Sequence, residues 1–482
     1  MASSLSASTY DGWTREELIA RLTELDNVQA RPKQRPPSPK PRIKKTFQFN
    51  AHSRRKIALK FCYSGWEYGG LAFQYQKTTL PTVEGVLFNA LVKARLIDPE
   101  GGFDGCGWTK CGRTDRGVSA AGQVISLWVR RLEFGFDEDD LKDVPLNSSL
   151  SKPTSIQNEK YEYEYLLILN RLLPPTIRIL AWSPVSDDFS ARFSCTYRHY
   201  KYFFSRNTAT GSILDIERMR TAASYLVGEH DFRNLCKIDP SKQITMFKRK
   251  VLSAEIDPIS IDAEGNGDYV LNLVGTAFLY HQVRNIMAVL FMVGHGQEDP
   301  SVVTSLMNVE EGSEPGATEV VDTKPQYQMA DALPLMLWDC GYPEGELDWR
   351  TTNGASLSDE NEDGRSELYQ QLHSIHSRSR VYTALNNHFL LAASRFHLQK
   401  NGLPAPSAPS STSQVAKLMI SLGGGTYKRT GQDKYTPLLK RNRLDHVDLT
   451  NERWRLGKGF RRNERKKALD EEGSIDDLDG NE

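Results

Sequence analysis

Segments in which apolar and polar side chains alternate recur in both halves of the chain, and they limit the folds that it can adopt. A strand of this kind buries one face only, which is typical of antiparallel sheets, whereas the strands of parallel α/β folds are apolar on both faces. We therefore predict an α+β fold with mainly antiparallel sheet. The predicted strands cover residues 57–63, 123–129, 161–169, 197–204, 269–274 and 333–340.

Apolar residues at helical spacing predict the helices that accompany these strands. Thr82 is suited to cap a helix over residues 83–94. A strongly apolar helix is predicted over residues 283–293, ending at Gly294. Further helices are predicted over residues 14–25, 219–227 (ending at Gly228) and 368–389.

The length of 482 residues exceeds what one compact core usually holds, so we expect two or three folded units. Composition predicts an N-terminal extension with a basic, proline-rich linker over residues 1–54, and two core subdomains over 55–150 and 151–345. Residues 346–482 are predicted to hold a polar insertion, a long helix and a basic extension with an acidic tail.

The cysteines and the distribution of apolar residues bear on the cellular location of the protein. No stretch of about 20 apolar residues occurs, and the N-terminus lacks a basic region followed by an apolar one, so we expect neither a membrane span nor secretion. Among the six cysteines, Cys106 and Cys111 are the only close pair, and no second pair or histidine cluster lies near them. We expect reduced thiols, no metal and a nuclear or cytoplasmic location.

Charge is unevenly distributed although the formal net charge is zero. Residues 31–56 carry ten Lys and Arg and no acid, and residues 428–467 carry fourteen against five acids. Such blocks suit a polyanionic partner. Solvated tails, or a nuclear import signal near residues 40–45, explain them equally well.

Residues 111–120 (CGRTDRGVSA) place one carboxylate, Asp115, between Arg113 and Arg116. A nearby cation favours the ionised form of a carboxylate, and the flanking glycines allow backbone or ligand to approach closely. The pattern fits either a structural ion pair or an anion held for chemistry on a phosphate-bearing substrate. The run falls between a predicted helix and a predicted strand, hence on a loop, where functional residues concentrate.

Polar groups on apolar elements give further candidates. Arg284 would need a carboxylate partner such as Asp115, or would extend to solvent. Tyr200 and Tyr202 share one strand face, which suits core packing or stacking on a nucleobase with a phenol for proton transfer. His281 is either a satisfied core residue or part of a site.

The C-terminal extension interleaves aromatic and basic residues. Lys434, Lys440 and Arg441 surround Tyr435 and Leu438, a composition that suits RNA contact or a basic arm that packs a few apolar residues. The three glycines at residues 423–425 are not followed by Gly-Lys-Ser/Thr, so a phosphate-cradling loop there is a weak hypothesis.

The motifs GRTDRGV (112–118), FSARFS (189–194), YKY (200–202) and VRNI (283–286) occur in the order and spacing of TruA-type tRNA pseudouridine synthases. The chain resembles that family over residues 55–343. The resemblance implies two similar subdomains that form a central sheet with helices on one face, an RNA cleft between the halves, and a homodimer. Residues 101–110 and the basic extension look like the eukaryotic branch, which modifies positions 38 and 39 in the anticodon stem-loop of tRNA.

The resemblance also assigns roles. Asp115 matches the catalytic aspartate, Tyr200 the tyrosine that stacks on the uracil, and Arg284 the arginine that pairs with the aspartate. Arg113 matches the arginine that helps to displace the base, and Ser119 stands where bacterial relatives usually have His. Further RNA contacts are expected from Arg116, His281, Lys434, Lys440 and Arg441.

The implied reaction isomerises uridine: the N1–C1′ bond breaks, the base turns, and C5 joins C1′. It requires an anionic carboxylate near C1′, an acceptor for the C5 proton and a closed pocket, and it uses no cofactor. The target must leave the helical stack, at a cost of a few kcal/mol. Two alternatives stay open: a tRNA-binding chaperone that uses the same cleft without turnover, and a nucleoside hydrolase that releases uracil.

Overall fold

The computed structural model describes residues 12–30, 47–76, 78–131, 162–207, 213–263, 265–317, 319–351, 363–396, 418–421, 427–430, 435–461 and 464. The chain divides into a unit of residues 1–48 and a unit of residues 49–482. In the first unit, helix α1 (Arg15–Ala30) confirms the helix predicted over residues 14–25. The predicted linker over residues 31–46 and the glycines at 423–425 lie outside the described residues, as does the predicted boundary near residue 150. The domain division therefore stays a prediction.

The second unit alternates strands and helices along the chain. Its strands are β1 (Arg54–Tyr63), β2 (Thr109–Lys110), β3 (Ser119–Arg130), β4 (Ile177–Pro184), β5 (Tyr197–Ser205), β6 (Gly228–Asp231), β7 (Lys248–Ile261), β8 (Gly267–Gly275), β9 (Leu335–Gly341), β10 (Leu418–Ser421) and β11 (Tyr427–Thr430). Its helices are α2 (Val83–Lys93), α3 (Gly102–Gly105), α4 (Tyr165–Leu172), α5 (Ile216–Ser224), α6 (Gln282–Gly294), α7 (Val302–Met307), α8 (Asp363–Ser394) and α9 (Val447–Trp454).

Nine strands form one continuous sheet in the order β4-β1-β3-β9-β5-β8-β7-β6, with β2 paired to β3. The ladders are antiparallel except for β3 with β9, which run parallel from the pair Ser119 and Met336. The predicted α+β class with mainly antiparallel sheet is confirmed. Strands β10 and β11 form a separate two-stranded sheet.

Two apolar clusters cover the sheet, one for each half. The first packs α2 and α4 on β1, β3 and β4 around fully buried side chains such as Phe61 and Trp182. The second packs α5, α6 and α7 on β5, β7 and β8 around Met287 and Leu271. The predicted catalytic residues lie on the loop before β3, on β5 and on α6, so both halves contribute them.

The strand predicted over residues 161–169 is wrong, because residues 165–172 form helix α4. The alternating tyrosines and leucines also fit helical spacing: Tyr165 and Leu169 are fully buried, four residues apart, while Leu167 is exposed. Gly228 does not end helix α5 directly, since the helix stops at Ser224 and Gly228 begins strand β6 at a φ of 125°.

Part of the C-terminal extension packs onto the core. Leu438 is fully buried in the second apolar cluster, and Val447 of α9 joins it. Glu298, a buried residue of the core, accepts hydrogen bonds from the backbone N–H of Leu438 at 2.7 Å and from the hydroxyl of Tyr435 at 2.6 Å. No helix in the described part of the chain is both long and apolar enough to cross a membrane.

The seam between β3 and β9 leaves no room for a side chain at Gly122. A Cβ there would lie 2.5 Å from the carbonyl oxygen of Trp338 on β9. We expect Gly122→Ala to lower the free energy of unfolding by about 1–3 kcal/mol, because the two strands must separate. Denaturant unfolding measures the change. Gly105→Ala in α3, where no atom lies within 4 Å of an added Cβ, is the control; equal stabilities of the two variants would contradict the prediction.

Candidate active site

The loop of residues 111–118, between β2 and β3, is held in place by the strand that follows it. The backbone N–H of Cys111 donates to Val124 at 2.9 Å, and the fully buried Gln123 side chain donates to the carbonyl of Gly112 at 3.0 Å. Within the loop, the N–H of Val118 donates to the carbonyl of Asp115 at 3.1 Å. The turn that carries Asp115 is thus fixed from both ends.

A second loop, after β1, closes over this turn. The N–H of Leu71 donates to the carbonyl of Thr114 at 3.2 Å, and the hydroxyls of Thr114 and Tyr63 lie 2.5 Å apart. A Cβ at Gly65 would lie 2.1 Å from the carbonyl oxygen of Val118, so only glycine fits there. The two loops are packed backbone against backbone.

Asp115 meets two cationic or potentially cationic side chains from α6 and the residue before it. The Nε2 atom of His281 lies 3.1 Å from Oδ2 of Asp115, and Nη1 of Arg284 lies 3.7 Å from the same oxygen. Within the described chain, the ion contacts of Asp115 are with these two residues, whereas Arg113 and Arg116, its neighbours in sequence, are exposed. Oδ1 of the carboxylate has no ion-pair partner among the described residues.

The backbone of Ala330 holds Arg284 in position. Its Nε donates to the carbonyl of Ala330 at 2.9 Å, while the N–H of Ala330 donates to the carbonyl of Arg284 at 3.0 Å. The guanidinium is only 12% exposed, and it cannot extend to solvent without breaking this reciprocal pair. The segment before β9 therefore aims the arginine at Asp115.

His281 sits immediately before α6 in the left-handed region, at a φ of 58°. Its side chain is 7% exposed, its ring lies against that of Tyr280 with the centroids 3.8 Å apart, and its buried Nδ1 has no hydrogen-bond partner among the described residues. The sequence analysis placed His281 among RNA contacts and missed its contact with Asp115. The available signal was its spacing of three residues from Arg284, which puts both on one side of a helix start.

Tyr200 of β5 lies beside the same loop. Its hydroxyl would lie 3.9 Å from a Cβ at Gly112, and its ring meets Phe278 edge to face at 5.1 Å. Burial raises the pKa of the Tyr200 phenol above its ordinary value, with nearby negative charge, including that of Asp115, adding to the effect. Tyr202 shares the face and is buried, whereas Lys201 on the opposite face lies 3.8 Å from the ring centroid of Trp338.

Of the predicted basic residues of the extension, the structure describes Lys440 and Arg441, and neither forms a hydrogen bond or ion pair with Asp115, His281 or Arg284. Lys434 lies outside the described residues, and Lys440 is exposed. Arg441 holds its own segment: Nε donates to the carbonyl of Thr436 at 2.8 Å, and the guanidinium lies 5.0 Å from the ring centroid of Tyr435.

The thiols next to the loop do not form a metal centre. All six cysteines are free, and the Sγ atoms of Cys111 and Cys195 lie 3.3 Å apart. In the part of the chain that the structure describes, no group of three His, Cys, Asp or Glu side chains is placed to hold a metal ion.

Comparison with known proteins places this geometry in a family. Residues 222–343 match the family model described as tRNA pseudouridine synthase. The chain is 37% identical to tRNA pseudouridine(38/39) synthase of Saccharomyces cerevisiae, over 93% of this chain and 92% of that protein. It is 40% identical to the human protein of the same name, over 68% of this chain and 66% of that one. With tRNA pseudouridine synthase A of Methanosarcina mazei it shares 32% identity, over 62% and 88% of the two chains.

Proposed function

Because the chain belongs to the TruA family of tRNA pseudouridine synthases, we propose that it isomerises uridine to pseudouridine at positions 38 and 39 of tRNA. The names of the yeast and human relatives, tRNA pseudouridine(38/39) synthase, support the choice of these positions. The yeast relative matches over nearly the full length of both chains, which extends the likeness beyond the core to the C-terminal extension.

One observation carries the proposal: a carboxylate, a histidine and an arginine from distant parts of the chain meet at one oxygen atom. Asp115 on its fixed turn is 26% exposed, so substrate can reach it, while its two partners are almost buried. Because both contacts use Oδ2, the other oxygen is available to act at C1′ of the uridine, as nucleophile or as base at the sugar. Arg284 places a positive charge beside the carboxylate, which offsets the repulsion between that carboxylate and the phosphates of the RNA.

Tyr200 is proposed to stack on the uracil. The raised pKa means that the phenol is protonated at neutral pH, so it cannot serve as a free base. It can pass a proton through its hydroxyl, accepting on oxygen as it donates its hydrogen. The detached base stays between Tyr200 and the loop, which favours reattachment over escape.

The exposed arginines of the loop are proposed to contact RNA. Arg113 would occupy the space left by the displaced base, and Arg116 and Lys440 would meet phosphates; all three side chains are exposed. His281, which the sequence analysis assigned to RNA contact, is instead proposed to position Asp115. We propose a nuclear or cytoplasmic location, which suits the free thiols of all six cysteines.

The family resemblance and helix α8 support a homodimer. Tyr382, Leu385 and Phe389 lie three and four residues apart on this 32-residue helix, and each is 47–66% exposed in the single chain. Exposed apolar residues at this spacing form a stripe that a second copy of the helix could cover.

Asp115→Asn tests the central role of the carboxylate. The amide keeps the shape but lacks the negative charge, so we expect no detectable pseudouridine in tRNA and nearly unchanged tRNA affinity. A pseudouridine map of tRNA incubated with each protein measures the first, and a binding isotherm the second. Glu100→Gln, an exposed carboxylate on a loop, is the control.

Three results would contradict the proposal. Product formation by Asp115→Asn overturns the mechanism, and tRNA binding by the unaltered protein without any product favours a chaperone. Free uracil in place of pseudouridine indicates a nucleoside hydrolase.

Two substitutions of His281 separate its side chain from its backbone conformation. Asn adopts a positive φ readily but is too short to replace Nε2, whereas the amide nitrogen of Gln can take the place of Nε2. We expect His281→Asn to lower kcat by about 100-fold with KM for tRNA unchanged, because Asp115 loses its aim. We expect His281→Gln to recover most of the rate.

Steady-state kinetics on one tRNA measures both values. Equal losses in the two variants, or a loss expressed in KM alone, would show that His281 does not act through Asp115.

Light scattering of the full chain tests the dimer. We expect a mass twice the chain mass of 54.5 kDa, and Phe389→Glu should shift it to a single chain because a charge cannot be buried without a partner. Ala384→Glu, on the opposite side of α8, should leave the dimer intact. A single-chain mass for the unaltered protein would exclude the dimer at that concentration.

A further inference from the structure

A pocket of about 340 Å³ lies beside α6, and none of its lining residues takes part in the proposed chemistry. Its walls come from Asn285 of α6, the segment of residues 324–329, Lys237 and Leu444. Two of the lining residues are lysines and none is acidic. An open, acid-free pocket with two cations is an unusual feature next to a catalytic carboxylate.

Lys324 is the more unusual of the two lysines because it is buried. It is 9% exposed, and its Nζ donates to the carbonyl of Cys236 at 2.7 Å and to Oδ1 of Asn285 at 2.6 Å. Both partners are neutral, and no carboxylate in the described chain forms an ion pair with Lys324. Burial lowers the pKa of this ammonium to about 8, yet it is largely charged at neutral pH.

Buried charges in proteins are normally paired, since an unpaired one carries a desolvation cost. Besides its two hydrogen bonds, the ammonium lies 4.5 Å from the ring centroid of Tyr327, so its contacts within the described chain are neutral groups and an aromatic ring and include no anion. An anion seated in the pocket would supply the missing negative charge and offset the desolvation cost.

Lys237 supplies a second cation at the rim. Its backbone N–H donates to the carbonyl of Tyr280 at 2.9 Å, and its exposed side chain places Nζ 5.8 Å from the ring centroid of Tyr280. Tyr280 in turn stacks on His281. The rim of the pocket is therefore next to the residues that hold Asp115.

The C-terminal extension forms the outer wall. The N–H of Leu444 donates to the carbonyl of Lys324 at 2.8 Å, and Arg443 donates to the carbonyl of Thr323 at 3.1 Å. The N–H of Gln326 donates to the carbonyl of Asn442 at 2.9 Å. The extension thus supplies one wall of the pocket through Leu444, and Arg443 adds positive charge beside it.

We propose that this pocket binds one backbone phosphate of the RNA strand that carries the target uridine, with Lys237 and Lys324 as its cationic contacts. The inference rests on the proposed function, because tRNA is the anion that the enzyme brings to this place. The site would fix the strand beside the flipped nucleotide without taking part in bond breaking.

The test uses the full chain and a synthetic anticodon stem-loop RNA in which single phosphates are replaced by neutral methylphosphonates. With the unaltered protein we expect one replacement to weaken binding by about tenfold, as for the loss of a hydrogen bond to a charged group. In Lys237→Met that penalty should largely vanish, because the contact is already lost. The slope of log affinity against log salt should fall by about 1.

Lys93→Met, an exposed lysine at the end of α2, is the matched control and should keep both the penalty and the slope. Lys324→Met should behave as Lys237→Met does if it melts like the unaltered protein; if it fails to fold, Lys237→Met decides alone. An unchanged methylphosphonate profile and salt slope in Lys237→Met would overturn the proposal. So would inorganic phosphate competing with RNA equally well for the unaltered and the Lys237→Met proteins.

The proposed function is judged separately. Conversion of uridine at saturating RNA in a single turnover should be the same in Lys93→Met and the unaltered protein. Absence of pseudouridine from both would refute the isomerase activity. The phosphate site would still be decided by the binding measurements alone.

Discussion

Ion contacts at one oxygen atom of Asp115 connect side chains from the two halves of this protein. The carboxylate is carried by the turn before β3, whereas Arg284 and His281 come from the start of α6, which packs in the other apolar cluster. The sheet must be continuous for these groups to meet, and its continuity depends on β9, which pairs with β3 on one side and β5 on the other. The pairing of β9 with β3 and β5 therefore determines both the continuity of the sheet and the assembly of the site.

Much of this arrangement could be predicted from the sequence. An arginine on an otherwise apolar helix needs an acid or a path to solvent, and the family resemblance paired Arg284 with Asp115 on its glycine-flanked turn. The spacing of His281 from Arg284 places it on the same side of the helix start, but its contact with Asp115 also depends on a positive φ that local sequence does not specify. Residues 165–172 were mistaken for a strand because their apolar positions satisfy both periods over a short window.

The packing of the C-terminal extension could not be predicted from the sequence for a different reason. Its basic residues suggested contact with RNA, but Leu438 and Val447 are buried in the core and Arg441 is occupied by its own segment. Sequence composition alone does not distinguish a basic segment that extends into solvent from one that packs on the core; that difference depends on tertiary contacts. In this protein residues 435–454 complete a surface of the core and belong to the folded unit.

The position of β9 has a consequence for how the chain is made. This strand ends at residue 341, yet it lies in the sheet between β3, which ends at residue 130, and β5. During synthesis, the edge of β3 that pairs with β9 therefore stays unpaired until more than two hundred further residues have left the ribosome. Such long-range strand pairing is slow and leaves edges exposed to other chains. Nascent molecules of this enzyme should accordingly depend on chaperones until the last core strand is released.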